Sequence, residues 1–369
     1  MKIAYVNTYF VQNHTGGGHV HMGQFVKNTT ELGHEIWTYG KSNIPGVNRI
    51  PTDHINHIKT MRKMDVLYIR LEQKFPVICK WSLPPRRLLY GFPIVVWEFN
   101  TIPEDAAFRG ETEKNINKVI KLLKHYGRGC DLAVCVSPAS EKYVKEKLGI
   151  NRTIVISNGS DPDLFNPNKS PVQRMKSFVN NFNVVWIGSA KIKYHDFETI
   201  REAANIIWKK EDGNKICFHI IGPEFNFQMA DMPPNVFYWG AEEYEKLPNW
   251  LASMDLGLYI TKGGTSSYGS PLKIFDYFAS GLPVVSTTHP FVSNLFNQLN
   301  QSDLMISIED SKSLANIILE LSTNKNQSRI LGMEGRKLII EKYNWKNSVI
   351  ETVDEIENIL LEKKGYEKK

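Results

Sequence analysis

The chain has 369 residues, of which 42% are hydrophobic and 23% charged. This composition is that of a folded globular protein and excludes intrinsic disorder and fibrous repeats. At about 100–200 residues per domain, the length predicts two domains. The net charge of +6 is too small to indicate a nucleic-acid partner, and we expect none. The excess is uneven, since residues 1–165 hold 22 basic and 15 acidic side chains and the remainder holds 23 and 24.

The four cysteines, Cys79, Cys130, Cys135 and Cys217, form no C-x-x-C pair and no zinc-type spacing with histidines. They predict buried, reduced thiols in a cytoplasmic protein. The opening residues predict a strand rather than a signal peptide. The longest apolar run, 92–97, is far shorter than the roughly 20 residues of a membrane-spanning helix. We therefore expect a cytoplasmic protein, or one that lies peripherally on the inner face of the membrane.

Short runs rich in Val and Ile recur along the chain, with helix-period segments between them. The predicted strands are 3–6, 35–38, 66–69, 94–97, 132–136, 153–156, 184–187, 216–221, 236–239, 256–260, 284–286 and 304–308. The predicted helices include 19–32, 115–126, 140–148, 197–208, 270–279 and 345–362. Six strands in each half, joined by right-handed crossovers, predict two doubly wound α/β domains.

A polar stretch that contains Pro167 and Pro171 separates the two halves and is the best candidate linker. The predicted organisation is an N-terminal domain 1–165, a linker 166–182, a C-terminal domain 183–345 and a C-terminal helix 346–369. Ligands of open α/β sheets bind beyond the carboxyl ends of the strands. We therefore expect the two domains to face a central cleft, with the functional residues in loops that follow the strands.

Three glycines, Gly16, Gly17 and Gly18, precede the first predicted helix. Glycines let a backbone approach a phosphate, and a helix N-terminus offers free N–H groups to it. The spacing does not match the dinucleotide fingerprint G-x-G-x-x-G, because Val20 and His21 stand where it would need glycine. The alternative is a plain flexible loop.

A second candidate site lies where a Gly- and hydroxyl-rich segment, 263–269, runs directly into a helix. Lys273 and Asp276 are three residues apart and therefore share one face of that helix. A lysine at this place suits a diphosphate, and a carboxylate one turn further suits the vicinal hydroxyls of a ribose. The alternative is an ordinary capped helix with a surface Lys–Asp pair.

The same segment resembles the donor-site motif of retaining glycosyltransferases of family 4, E-x-x-x-x-x-x-x-E followed by A-x-G-x-P-V-V. Asp276 falls on the second carboxylate, whereas Tyr268 replaces the first. Ser270, Pro271 and Lys273 resemble the S-P-x-K variant, in which hydroxyl, backbone and lysine bind the donor diphosphate. The resemblance therefore implies a nucleoside-diphosphate sugar as donor.

Weaker motifs of that family follow in the expected order along most of the chain, including N-G-x-D at 158–161 and Y-x-W at 343–345. The resemblance implies a GT-B fold of two Rossmann-like domains, with the donor on the second domain and the acceptor on the first. It also implies a final helix that crosses back onto the first domain. The implied reaction is retaining, with front-face, substrate-assisted displacement and no metal or other cofactor.

The resemblance further implies that Gly17 and Gly18 close over the donor diphosphate. Lys191 or Lys193 would neutralise the charge of the leaving diphosphate, and Lys193 is also a catalytic candidate. The alternative is that both lysines are solvated surface residues. Asp161 begins an Asp-Pro-Asp run that is similar to a D-x-D metal site, but its place in N-G-x-D favours a turn, and we expect no metal.

Glu98 and Asn100 end a buried strand on the predicted acceptor side. Glu98 is a candidate to orient or deprotonate the acceptor hydroxyl, and Asn100 is a catalytic candidate beside it. A structural carboxylate that caps the next loop is the alternative for Glu98. His19 and His21 are candidate sugar contacts, with surface or core histidines as the alternative.

The basic excess of the first half has a local source in residues 114–128. The basic residues of this segment are Lys114, Lys118, Lys121, Lys124 and Arg128, with no acid among them. A second group comprises Lys80, Arg86 and Arg87 with Trp81 among apolar residues. Basic amphipathic elements favour docking on anionic lipid, with a buried helix and a solvated basic face as the alternative.

The predicted function is transfer of a sugar to a hydroxyl acceptor, either a glycan or a lipid-linked glycan. One alternative is a catalytically silent subunit that binds sugar nucleotides, which the missing first carboxylate favours. A nucleotide-sugar epimerase and a nicotinamide-dependent oxidoreductase are further alternatives, and the absent fingerprint argues against the latter.

Overall fold

The computed structural model describes residues 1–6, 17–39, 44–71, 74–188, 194–223, 231–262 and 268–366. By its contacts the chain divides into two units. The first unit comprises Met1–Asn158, Tyr268–Ser270 and Trp345–Lys369, and the second comprises Gly159–Ser267 and Pro271–Asn344. The division after Asn158 precedes the predicted limit at 165, because Phe165 is fully buried in the core of the second unit.

The first unit is built on a parallel sheet. Its strands are β1 (Lys2–Val6), β2 (Glu35–Thr38), β3 (Val47–Arg49), β4 (Val66–Leu71), β5 (Ile94–Phe99), β6 (Leu132–Cys135) and β7 (Thr153–Val155). Within the described residues they form one seven-stranded sheet in the order β3-β2-β1-β4-β5-β6-β7. Every residue of β4 and β5 is buried, because helices cover both faces of a parallel sheet.

Helices flank this first sheet. They are α1 (Gly17–Glu31), α2 (His54–Met61), α3 (Arg86–Tyr90), α4 (Glu113–Gly127), α5 (Pro138–Tyr143) and the last helix of the chain, α12 (Trp345–Tyr366). Shorter helical turns cover Val77–Ser82, Pro103–Arg109 and Val144–Leu148. Thr112 caps α4 by accepting the Asn115 N–H, so the basic helix begins at a side-chain cap.

The second unit repeats the α/β design. Its strands are β8 (Phe182–Ile187), β9 (Ile216–Ile221), β10 (Val236–Tyr238), β11 (Leu256–Tyr259), β12 (Val284–Thr287) and β13 (Met305–Ile306). Within the described residues they form a six-stranded parallel sheet in the order β10-β9-β8-β11-β12-β13. The helices are α6 (Phe197–Trp208), α7 (Leu247–Leu251), α8 (Leu272–Ala279), α9 (Pro290–Gln298), α10 (Ser311–Thr323) and α11 (Lys325–Glu341).

The prediction of two α/β domains with parallel sheets is confirmed. The prediction of six strands per half is wrong for the first unit, because β3 was missed. This strand has three residues, Val-Asn-Arg, none of them buried, and it lies at the sheet edge. Such a strand leaves no apolar run in the sequence.

The last helix packs within the first unit. Val349, Val353 and Ile356 of α12 are buried in one apolar cluster with Met22 and Val26 of α1. The helix is therefore part of the first unit's core, although it follows the second unit in sequence. In the described ranges, no helix is both long enough and apolar enough to cross a membrane.

Candidate functional site

The second unit holds a lysine in an aromatic pocket at the start of α8. The Nζ of Lys273 lies 4.9 Å from the centre of the Trp186 ring and 5.7 Å from that of Tyr259. It lies 3.3 Å from Nε2 of the buried His195. Trp186 and Tyr259 belong to β8 and β11, near the carboxyl ends of these strands. This edge of an open α/β sheet is where ligands bind.

Gly188 makes room for the lysine directly after β8. A Cβ at this position would lie 2.8 Å from the Lys273 Nζ and 2.9 Å from the Trp186 ring. Tyr277, one turn after Lys273 on α8, accepts the backbone N–H of Ile187 at 2.8 Å. The helix is thereby held against the end of β8, which fixes the position of the lysine.

The surroundings of Lys273 stabilise the positive charge of its ammonium group only weakly. Among the described residues it forms no ion pair with a carboxylate, and burial lowers its pKa to about 7. The aromatic faces attract the cation, but His195 contributes no negative charge. An ammonium group in this state gains from an anionic ligand, which would supply the missing countercharge.

Asp276 lies one turn further along α8 and is only 6% exposed. Its Oδ1 accepts hydrogen bonds from the Ser160 hydroxyl at 2.6 Å and from the Tyr244 hydroxyl at 3.3 Å. Burial raises the pKa of this carboxyl to about 7. Two hydroxyl groups of the protein thus already occupy one of its oxygens, and the contact of Asp276 with a ribose stays a prediction.

Asp276→Asn is expected to remove a pH-dependent cost of folding. The native pKa is about 7 and the ordinary value is 3.8, so the folded state binds the extra proton between these limits. Stability from this group is therefore present at low pH and is lost as the pH rises through about 7. Asparagine keeps an oxygen for both hydroxyls and has no charge to bury.

Urea unfolding between pH 4 and 8 measures this effect. The stability of Asp276→Asn relative to the unmodified chain should rise from pH 4 to about pH 7 and then level off. Asp303→Asn, on the exposed side chain of a short helical turn, is the matched control and should leave the profile unchanged. A constant difference at all pH values would contradict the prediction.

The other predicted donor residues near α8 have different surroundings. Ser270 accepts the Asn158 N–H on its hydroxyl at 3.1 Å, and its carbonyl accepts the Asn158 side chain at 2.6 Å. Pro271 precedes α8 in extended conformation. Tyr268, in the place of the first carboxylate, accepts the Ser137 hydroxyl on its carbonyl at 2.7 Å. Both Ser270 and Tyr268 group with the first unit by their contacts.

The first unit holds a buried cluster around Glu98, which is 1% exposed at the end of β5. The Tyr68 hydroxyl donates to its Oε2 at 2.8 Å, and the Asn100 side chain donates to its Oε1. The Arg70 Nε lies 3.3 Å from Oε1, and the His21 Nδ1 lies 3.4 Å from it. Four side chains thus surround one carboxylate, which favours the structural alternative for Glu98 over a proton acceptor.

The structure brings Arg70 to the start of α1. A Cβ built on Gly18 would lie 3.7 Å and 3.8 Å from the two terminal nitrogens of the guanidinium. Gly18 therefore lies beside a buried cation, and Gly17 is the first residue of α1. Burial lowers the pKa of His21 to about 4, so that His21 is neutral at physiological pH.

Four residues of these two clusters were not predicted, namely Arg70, Tyr68, Ser160 and Tyr244. A charged residue inside the fully buried strand β4 was the one available signal for Arg70, since buried arginines are paired or functional. Tyr68, Ser160 and Tyr244 gave no local signal, because their partners are distant in sequence.

Several predicted residues lie outside the described residues. Lys191 and Lys193 belong to this group, as does Gly16, and their roles stay predictions. The Asp161–Asp163 turn is described, and Asp161 accepts the N–H groups of Asp163 and Leu164 at 3.1 Å each. This carboxylate forms the predicted turn.

The basic segment is the amphipathic helix α4, which buries Ile116 and Leu123. Lys114, Lys118, Lys121 and Lys124 are exposed. The neighbouring turn at 77–82 packs against α4 and α3 and exposes Val77 (65%), while α3 exposes Leu88 (76%). Arg87, predicted as part of the second basic group, pairs with Asp131 at 2.6 Å, so its charge is neutralised locally.

A comparison with known sequences finds matches to part of the chain. Residues 181–324 match the sequence model of the family described as glycosyl transferases group 1. The Bacillus subtilis (strain 168) protein TuaH, named as a glycosyltransferase of teichuronic acid biosynthesis, is 31% identical over 176 residues. This alignment covers 45% of the chain and 42% of TuaH, so the chain spans less than half of the curated relative that it matches.

Comparison with solved structures covers nearly the whole chain. Anabaena Alr3699/HepE, solved in complex with UDP and glucose, is 14% identical with a TM-score of 0.72 over 97% of this chain and 100% of that one. Sucrose-phosphate synthase (tll1590) from Thermosynechococcus elongatus is 14% identical with a TM-score of 0.68 over 98% and 99%. The chain thus has two Rossmann-like domains of the GT-B type, and its residues 181–324 match glycosyl transferases group 1.

Proposed function

We propose that the chain is a retaining glycosyltransferase that moves a sugar from a nucleoside-diphosphate sugar to a hydroxyl group of a glycan or lipid-linked glycan. The observation that carries the proposal is Lys273. This lysine lies near the carboxyl ends of the strands in the unit that matches glycosyl transferases group 1, and in the described residues it has no carboxylate partner. A diphosphate supplies the anion that this pocket lacks.

The proposed reaction depends on stabilising the negative charge that develops on the leaving diphosphate. The bond between the anomeric carbon and the diphosphate oxygen breaks, and negative charge grows on the leaving group. Lys273, together with Lys191 or Lys193, stabilises this negative charge. Electrostatic stabilisation of this kind is usually the largest single contribution to catalysis. The acceptor oxygen attaches from the same face and its proton passes to the leaving diphosphate. This step retains configuration and needs neither an enzymic nucleophile nor a metal.

The proposed donor is a uridine diphosphate sugar. HepE, which has the same fold, was solved with UDP and with UDP-glucose, and this is the support for uridine. A glycan or lipid-linked glycan as acceptor is supported by the name of TuaH, a relative over part of its length.

A thermal-shift panel tests the proposal with UDP, GDP, ADP and NAD, followed by turnover assays with the corresponding sugars. We expect stabilisation by one nucleoside diphosphate and release of that diphosphate in the presence of a glycan acceptor. Stabilisation by NAD alone would support the oxidoreductase and overturn the proposal. Stabilisation without turnover across a broad acceptor screen would support the silent subunit, which Tyr268 in place of a carboxylate still favours.

For the partner, we propose that the exposed lysines of α4 and the neighbouring apolar residues dock on an anionic membrane. Lys118→Gln/Lys121→Gln/Lys124→Gln is expected to reduce sedimentation with phosphatidylglycerol vesicles at least about ten-fold, because each lysine near such a surface contributes about 1 kcal/mol. Lys209→Gln/Lys312→Gln/Lys337→Gln, three exposed lysines of the second unit, is the charge-matched control. Equal sedimentation of both triple variants would contradict the docking proposal.

A further inference from the structure

The second unit contains a cavity at the edge of its sheet opposite to Lys273. Asn183 is the second residue of β8, while Asp255 and Pro283 directly precede β11 and β12, and all three line the cavity. Lys273 instead lies near the carboxyl ends of β8 and β11. The cavity encloses about 780 Å³, which is within the range of small-molecule sites. It is therefore separate from the candidate donor site.

The floor of this cavity is apolar. Four buried residues line it: Met175 from the linker region, Leu251 from the end of α7, and Met254 and Leu282 from the loops before β11 and β12. Met333 of α11 is 51% exposed at its side. Methionines adapt to ligands of irregular shape, and this lining suits a hydrocarbon or aromatic group.

Three cationic side chains surround this apolar floor. Lys176, Lys325 and Arg329 line the cavity, and in the described part of the chain none of them forms an ion pair. Lys325 and Arg329 lie in the first turns of α11, where the helix dipole is also positive, so neither gains from its place on the helix. Asp255 also lines the cavity. Its carboxylate accepts the Asn183 N–H at 2.7 Å, and its charge attracts Lys325 and Arg329 beyond ion-pair distance, which offsets part of their positive charge.

A buried hydroxyl is a second indication of a ligand. Ser280 follows the last residue of α8, lines the cavity and is 3% exposed. In the described structure its Oγ has no hydrogen-bond partner. A buried hydroxyl of this kind costs free energy unless it is paired. Its Oγ is itself enclosed, so rotation of the side chain toward the cavity would be needed for an oxygen of a ligand to pair it.

We infer that this cavity binds a small anionic amphiphile, a molecule with a phosphate or carboxylate head and an apolar body. The head lies among Lys176, Lys325 and Arg329, and the apolar body lies on the floor formed by the buried methionines and leucines. The site contacts α8 at Ser280, the end of the helix that begins beside Lys273. It belongs to the second unit alone and is independent of the sugar-transfer proposal.

The test uses protection of an engineered thiol, with octyl phosphate as probe below its micellar concentration. Met333→Cys in the full chain is labelled with N-ethylmaleimide, and the rate of the unmodified chain, whose Cys79, Cys135 and Cys217 are buried, is subtracted. At about ten times Kd, octyl phosphate should slow the labelling about ten-fold by mass action. Lys337→Cys, on the same helix outside the lining, should not be protected.

Two further comparisons identify the ligand chemistry. Adding Lys325→Glu/Arg329→Glu to Met333→Cys should abolish protection, whereas Lys312→Glu/Lys337→Glu should preserve it. Absence of protection of Met333→Cys would overturn the proposal, as would equal protection by octyltrimethylammonium. Equal protection by inorganic phosphate at the same concentration would overturn the amphiphile and leave a plain anion site.

Discussion

Lys273→Met is expected to raise the melting temperature of the ligand-free chain and to weaken its stabilisation by UDP. Burial lowers the pKa of Lys273 to about 7, which means that the folded chain disfavours the charged form. Methionine is similar in length, fills the same space between Trp186 and Tyr259 and has no charge. The diphosphate, by contrast, loses a charged partner, whose removal costs about 1.5–3 kcal/mol of binding.

The pH dependence of this gain follows from proton linkage. The native pKa of Lys273 is about 7 and its ordinary value is 10.5, so the unfolded chain binds more protons between these limits. Stability of the unmodified chain should therefore rise with pH across this interval. The advantage of Lys273→Met should be full below about pH 7 and vanish by about pH 10.

Thermal melts with and without UDP at pH 6, 8 and 10 check both parts of this prediction. Lys262→Met is the matched control, because it makes the same change at an exposed position of the same unit. A lower melting temperature of Lys273→Met at pH 6 would contradict the account of its burial. An undiminished response to UDP, where UDP stabilises the unmodified chain, would remove Lys273 from the donor site.

Glu98→Ala is expected to lower the free energy of unfolding by about 3–5 kcal/mol, the usual cost of leaving a buried charge without its partner. Arg70 is buried and lies 3.3 Å from the carboxylate, and Tyr68 and Asn100 donate to it. Urea unfolding measures the loss. Glu113→Ala, in the exposed first turn of α4, is the control and should change the stability little.

A double variant distinguishes the effect of breaking the ion pair from the effect of simply losing packing contacts. Glu98→Leu/Arg70→Met removes both charges and should recover most of the stability that Glu98→Leu loses, because apolar replacement of a buried pair is often neutral. Comparable losses in the single and the double variant would contradict the pairing. Glu98→Gln then tests the catalytic prediction, since a general base requires loss of turnover with donor affinity retained.

The strands were predictable where burial is continuous. β4 and β5 consist of buried residues throughout, and the first four residues of each strand, 66–69 and 94–97, form an apolar run of the kind expected in a parallel sheet covered on both faces. The edge strand β3 has no such run and was missed. The two-domain organisation followed from the repeated alternation of strands and helices, because each apolar element must be covered by another.

The candidate site was predictable only in part. Lys273 was identified from local sequence, because a lysine at the start of a helix after a Gly-rich segment is a local pattern. Its pocket of Trp186, His195 and Tyr259 was not predictable, since these residues come from different strands and loops. The hydrogen bonds that Ser160 and Tyr244 donate to Asp276 likewise join segments that are distant in sequence.

The amino-acid sequence by itself determined a folded chain of two α/β domains and a positive excess in its first half, because composition and hydrophobic periodicity are local properties. Only the tertiary structure decided which charges are available. It pairs Arg87 with Asp131 and encloses Glu98, while it leaves the lysines of α4 exposed. The net charge of +6 thus includes charges that are paired inside the fold and charges that are accessible at the surface. The tertiary structure is needed to tell the two kinds apart.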